Sequence, residues 1–155
     1  MFTKEELDKM NFVADDWKSD EKNGSVATRP SGKHMPLSND MKQVYLRQKM
    51  SGYFVDRFDK NYNAVEARCM INIETFKALL NGKRPVKRRM LAKFCIGMKA
   101  TLEEADEMMA LQGHHLEKDN YRMDYILTEA LKDRIDIQKY YDWGEEFHFD
   151  PDKWN

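Results

Sequence analysis

The sequence predicts an all-α fold, a bundle of about five to seven short helices, and three observations carry that expectation. Apolar residues recur at helical spacing, as in Leu46, Met50, Phe54 and Phe58. No stretch alternates apolar and polar residues for long enough to argue for a strand. Only seven glycines and four prolines interrupt 155 residues, too few for a loop-rich or repetitive chain.

The elements follow in order. TKEELDKMNFVADDW can make a short amphipathic turn through Leu7, Met10, Val13 and Trp17. Residues 18–40 are rich in Ser, Gly, Pro and charge and read as a linker or mobile arm, so residues 1–40 are expected to be a flexible arm with at most a short helix. The main domain is expected over residues 41–147, with 148–155 as a C-terminal tail. Its first helix runs from Met41 to about Tyr62 on the four-residue stripe, weakened at Gly52 but not ended. A short segment over 64–70 spaces Val65 and Cys69 by i, i+4. Asn72 suits the N-cap of a third helix, whose inward face is Phe76, Leu79 and Leu80 and whose stop is Gly82. Pro85 permits a new start, and Leu91, Phe94, Cys95 and Met98 write the stripe of a fourth helix. Thr101 with Glu104 is a capping box that opens a fifth over Leu102, Ala105, Met108, Met109 and Leu111, closed at Gly113. A sixth is expected from about Asn120 to Arg134 on Met123, Ile126, Leu127, Ala130 and Leu131, and a short seventh from Asp136 to Trp143, ending at Gly144.

The length suits one domain with tails. No apolar run approaches the roughly 18 residues that span a bilayer, and the start MFTKEELDK lacks an apolar region behind a basic one. Neither membrane insertion nor secretion is expected. Cys69 and Cys95 lie inside apolar helical patterns without CxxC spacing, which favours a reducing cytoplasm over a disulfide or zinc framework.

The net charge of −1 conceals a strong polarity. Residues 75–100 hold eight Lys+Arg and no carboxylate, whereas residues 101–155 hold six and fifteen. A basic run in an otherwise acidic chain is the footprint of a surface that meets phosphate; the alternative is a solvated face neutralised by the acidic C-terminal part. The run overlaps the most informative stretch, AVEARCMINIETFKALLNGKRPVKRRM, residues 64–90. Two short helices a few residues apart, the second followed at once by Gly and a basic turn, have the layout of a helix-turn-helix.

INIETFKALLNGKRP resembles the third-helix signature of the XRE-type family, the Cro and lambda-repressor-like helix-turn-helix proteins. The similarity extends over about residues 43–147, including LEEADEMMALQGHHL and Asp124, and looks like an extended module of the kind found in Gram-positive bacteria and their phages. The resemblance implies a lambda-repressor-like bundle that binds double-stranded DNA as a repressor-like transcriptional regulator, without chemistry or cofactor. It implies that Asn61 or Asn63 caps the second helix and that Val65, Cys69, Ile71, Phe76 and Leu79 form the core. It places Asn72, Ile73, Glu74, Lys77 and Ala78 toward the groove as base-reading residues. Lys83, Arg84, Lys87 and Arg88 would contact phosphate, together with Tyr62, which stands where the family often has a phosphate-binding Gln. Three positions depart from the family pattern: Glu66 for a small Ala, Met70 for a turn Gly and Val86 for a capping Ser. Glu74 can accept from cytosine N4 and Lys77 can reach guanine, while Ile73 and Ala78 offer only apolar contact to a thymine methyl.

Other features have simpler readings. His114 and His115 are adjacent, with no further ligand at metal-binding spacing, so no metal site is expected. Most of the 11 methionines fall on core stripes and read as gap-filling. The carboxylates after residue 101 have the spacing of a solvated face, and no nucleophile elbow or phosphate loop is present; the chain is expected not to be an enzyme. The tail YYDWGEEFHFDPDKWN mixes aromatic and acidic residues, which suits either packing of the last helix or an interface. Because a single recognition helix covers few base pairs, a homodimer is expected through residues 120–149, with Tyr140, Tyr141, Trp143 and Phe147 as its surface and the 1–40 arm dispensable. The alternative function is a protein-interaction adaptor or inhibitor that reuses the scaffold, with the same acidic, aromatic part as the partner surface and a dependence on that tail or on the 1–40 arm.

Overall fold

The computed structural model describes residues 2–18 and 38–154. Among the described residues there are eight α-helices and no strands: α1 (Lys4–Lys9), α2 (Asn39–Phe58), α3 (Tyr62–Cys69), α4 (Ile73–Asn81), α5 (Arg88–Met98), α6 (Leu102–Gln112), α7 (Arg122–Lys132) and α8 (Ile137–Phe147). The fold is all-α. The linker read at residues 18–40 lies, for residues 19–37, outside the described residues.

Helix α5 is the centre of the core. Leu91 through Met98 are all buried, because α3 packs on one side of it, α6 and α7 on others, and α8 closes the far end. The approach of α3 is very close: a Cβ at Gly97 would lie 2.2 Å from Cys69 Sγ and 2.7 Å from the Arg68 carbonyl oxygen. No other residue lets these two helices meet so tightly. The stripe Leu46, Met50, Phe54 and Phe58 of α2 is buried as its spacing requires, and rings stack from Phe58 through Phe94 to Phe76 at 5.6 and 5.7 Å. Opposite charges join α2 to α6 at Arg57–Glu104 and at Lys49–Glu107, 2.8 Å.

Both ends of the chain depart from the expectation of an arm and a tail. Residues 2–17 dock on the domain: Phe2 and Leu7 are 3% and 1% exposed, and the segment after α1 pairs with the α6–α7 loop through a bridge between Ala14 and Tyr121. Of the expected amphipathic set, Val13 points outward and Leu7 inward. Helix α8 does not end at Gly144 but continues to Phe147. Gly144 is there for the returning chain, since a Cβ on it would stand 2.7 Å from the Phe149 carbonyl oxygen. Residues 149–154 then fold back, burying Pro151 and Trp154. Among the described residues no helix is long and apolar enough to cross a membrane.

Candidate functional site

The pair α3–α4 is shaped by three local signals. Asn61 caps α3, its side-chain oxygen accepting from Asn63 N at 2.9 Å and Ala64 N at 3.2 Å. Met70 ends the helix in the left-handed region, φ 52°, where a glycine would sit without strain. Ile71 is buried at the turn, and Asn72 then caps α4 by accepting from Glu74 N at 2.9 Å and Thr75 N at 3.3 Å. Phe76 and Leu79 turn into the core, so the opposite side of α4 faces solvent.

On that outer side the five proposed base-reading residues differ in what they offer. Glu74 and Lys77 have side chains 84% and 46% exposed, facing each other at 3.8 Å. Asn72 is exposed but its oxygen is committed to the cap. Ile73 and Ala78 are half-buried and present part of an apolar surface. Tyr62 is half-buried as well; its ring packs 4.7 Å from Phe54 and lies beneath the Lys77 ammonium at 5.1 Å. It acts as an apolar wedge between α2, α3 and α4.

The basic stretch divides into two sets with different work. Lys83, Arg84 and Lys87 lie exposed on the turn between α4 and α5, and Arg84 Nη1 donates to Thr75 Oγ1 at 3.2 Å. Arg47 of α2 joins them: its guanidinium carbon is 3.4 Å from where a Cβ on Gly82 would be. Among the described residues none of these four has a carboxylate within ion-pair distance. Arg47 was missed by the sequence reading because it is one cation among several on α2, and its proximity to Gly82 is a tertiary fact.

The second set faces inward and corrects an expectation. Arg88 is no phosphate ligand, being 0% exposed with its guanidinium gripping Asp124 at 3.0 and 3.1 Å and donating to the His114 carbonyl oxygen at 2.7 Å. Lys93, also buried, pairs with Asp152 at 2.7 Å. Arg89 donates to the Trp154 carbonyl oxygen at 3.2 Å and Lys99 to those of Arg134 and Ile135 at 2.7 and 3.1 Å. Half of the basic run therefore holds the C-terminal third in place, and only the other half is open to a ligand.

The expected dimer or partner surface is corrected in the same way. Tyr140, Trp143 and Phe147 are each 0% exposed and form the aromatic end of the core, where Phe2 meets Trp143 at 5.1 Å and Phe147 at 4.6 Å. Tyr141 is half-buried, its hydroxyl donating to the Asp152 carboxylate at 2.8 Å. The N-terminal segment that contributes Phe2 is accordingly part of this core. Neither cysteine is placed for nucleophilic work: both are 0% exposed, and burial pushes the Cys69 thiol up to about 12 and that of Cys95 up as well. The α6–α7 loop brings Glu117 to His114 and His115, supplying a third metal-ligating group that sequence spacing did not suggest. The chain matches no protein-family model, no curated protein and no solved structure.

Proposed function

We propose that the chain is a DNA-binding protein of XRE-type helix-turn-helix character, with α3 and α4 as the motif and α4 lying in the major groove, and that it regulates transcription by occupying its site in the manner of a repressor. One observation carries the reading: Arg47, Lys83, Arg84 and Lys87 gather at and just beyond the C-terminal end of α4, and no carboxylate of the described residues lies within ion-pair distance of them, in a chain whose net charge is −1. Segregated, unpaired cations next to an uncovered helix suit a polyanion with a groove. The likeness of INIETFKALLNGKRP to the family's third helix points the same way.

The roles follow from placement. The four cations fix the protein on the backbone and supply affinity that is indifferent to sequence. Glu74 and Lys77 supply discrimination; their mutual contact is exposed, so exchanging it for cytosine N4 and guanine acceptors costs little. Ile73 and Ala78 add apolar contact to a thymine methyl. The dimer through residues 120–149 relied on Tyr140, Trp143 and Phe147, which lie in the core, so a homodimer spanning two half-sites would have to form through another surface.

Fluorescence anisotropy on a mixed-sequence duplex at several salt concentrations tests the proposal. Four phosphate contacts give a slope of log K on log salt of about −3.6, and Lys83→Ala with Arg84→Ala lowers its magnitude by about 1.8 while weakening all sequences alike. Lys77→Ala relaxes preference among selected sites by about 1–3 kcal/mol for the base it meets. No salt-dependent binding, or binding indifferent to the double substitution, overturns it.

A further inference from the structure

We infer that the loop between α6 and α7 is a binding site for a divalent transition metal of the zinc type, with His114, His115 and Glu117 as ligands and a water completing the coordination. The inference is independent of DNA binding. One ligand atom from each of the three residues lies within 4.8 Å of the others. His114 Nε2 and Glu117 Oε2 are 3.0 Å apart, already close to the edge of roughly 3.3 Å that a tetrahedral ion with bonds near 2.0–2.1 Å requires. The imidazole of His115, with its side chain 54% exposed, covers the remaining distance by a rotation that gives up the 3.2 Å contact of its Nδ1 with the Leu116 carbonyl oxygen. Two imidazoles with one carboxylate select zinc and its neighbours over calcium or magnesium, which take oxygen ligands. Asp106 stands 4.0 Å from His115 Nδ1 and adds negative charge beside the set.

What separates this cluster from a chance meeting of surface groups is how its backbone is held. The buried Arg88 guanidinium donates to the carbonyl oxygens of both His114 and His115, at 2.7 and 3.4 Å. Its partner Asp124 accepts from Glu117 N at 2.9 Å, and Asp106 accepts from Leu116 N at 2.7 Å. The His114 ring is stacked on Trp17, centroids 5.4 Å apart and planes 6° from parallel. All three ligand residues are thus positioned by groups that take no part in coordination, the support a preorganised site needs. Metal binding exchanges the His114–Glu117 hydrogen bond for two coordinate bonds, with any proton on the ligating nitrogens released to solvent. Because the same loop receives the N-terminal segment at Ala14–Tyr121 and at Trp17, a bound ion also fastens that segment.

Titration of the full-length chain with zinc chloride by calorimetry, in a buffer that does not chelate, tests the site. One ion per chain is expected, together with a change in tryptophan emission from Trp17 and slowed amide exchange in residues 113–121. His115→Ala removes an exposed side chain and Glu117→Gln preserves shape, so both should keep the parent melting curve while weakening zinc about tenfold or more. His148→Asn, in a left-handed position on the C-cap of α8 that Asn tolerates, should leave zinc binding unchanged. Absence of saturable binding overturns the inference, as does binding that survives both ligand substitutions or is lost with His148→Asn.

Discussion

Replacing Arg88 by methionine removes the charge that neutralises Asp124 while keeping most of the side-chain volume. The pair is 0% and 1% exposed, so the carboxylate left behind has no route to water. Breaking a buried pair on one side costs about 3–5 kcal/mol, and at about 2–4 °C per kcal/mol for a chain of this size the melting temperature should fall by roughly 6–20 °C. Asp124→Leu should cost a similar amount. The double variant Arg88→Met with Asp124→Leu should recover part of the loss, because no charge is stranded. It should not recover all of it, since Glu117 N and the His114 carbonyl oxygen lose their partners, at about 1–3 kcal/mol each. Lys87→Ala, one residue earlier but exposed, should change stability by no more than about 0.5 kcal/mol while reducing the salt dependence of the proposed DNA binding. Urea and thermal unfolding followed by circular dichroism measure all four. An Arg88→Met protein as stable as the parent, with a weakened salt slope, would show that Arg88 faces the ligand and that the division of the basic stretch is wrong.

Two further outcomes follow from local geometry. Met70→Gly should raise stability by about 0.5–1 kcal/mol in urea unfolding, because a left-handed L-residue costs about 1–2 kcal/mol and glycine returns part of that as backbone entropy; an unchanged or lower midpoint would mean that the partly exposed Met70 side chain packs more strongly than its 46% exposure suggests. Burial works against ionisation of Glu104, but the Arg57 hydrogen bond and the Thr101 backbone N–H outweigh it and hold the carboxyl below its ordinary value of 4.5. The group therefore adds stability that is present above that ordinary value and is lost as pH falls through the lower folded one. In Glu104→Gln the acid limb of the stability curve should be shallower than in the parent, and an identical limb would remove this ion pair from the account of how α2 holds α6.

Local rules made much of the bundle legible. The capping box at Thr101 forms in both directions, Glu104 N donating to Thr101 Oγ1 at 3.1 Å and Thr101 N to Glu104 Oε1 at 2.9 Å. The Asn72 cap, the Gly82 stop and the α2 stripe are likewise where the residues put them. What was not legible depended on residues far apart. Arg88 lies on the same face as Leu91 and Cys95, at i, i+3 and i+7, yet its charge and its place in a basic run suggested solvent; its partner is 36 positions away. Ile137, Tyr140, Trp143 and Phe147 also keep helical spacing, but Gly144 suggested an end that the helix does not make. Phe2 and Leu7 are two apolar residues in a polar segment, and only the aromatic pocket that receives Phe2 explains them. For the candidate interface, the sequence located Glu74, Lys77, Lys83, Arg84 and Lys87 on exposed positions but could not distinguish open cations from those spent on the C-terminal third.

The contact of Phe2 with Phe147 joins two rings separated by almost the whole length of the chain. During synthesis Phe2 leaves the ribosome well before the rings that receive it, so it has nowhere to go until α8 has emerged. Helix α4 has no such dependence, because α2 and α3, which pack on it, precede it directly in the chain. Assembly on the ribosome should then proceed in two stages, the segment that carries the candidate interface first and the aromatic clasp afterwards. Closing a loop that long is entropically expensive, though the cost grows only with the logarithm of its length. A nascent chain stalled before residue 147 would therefore expose its N-terminal segment to proteases while α4 is already protected.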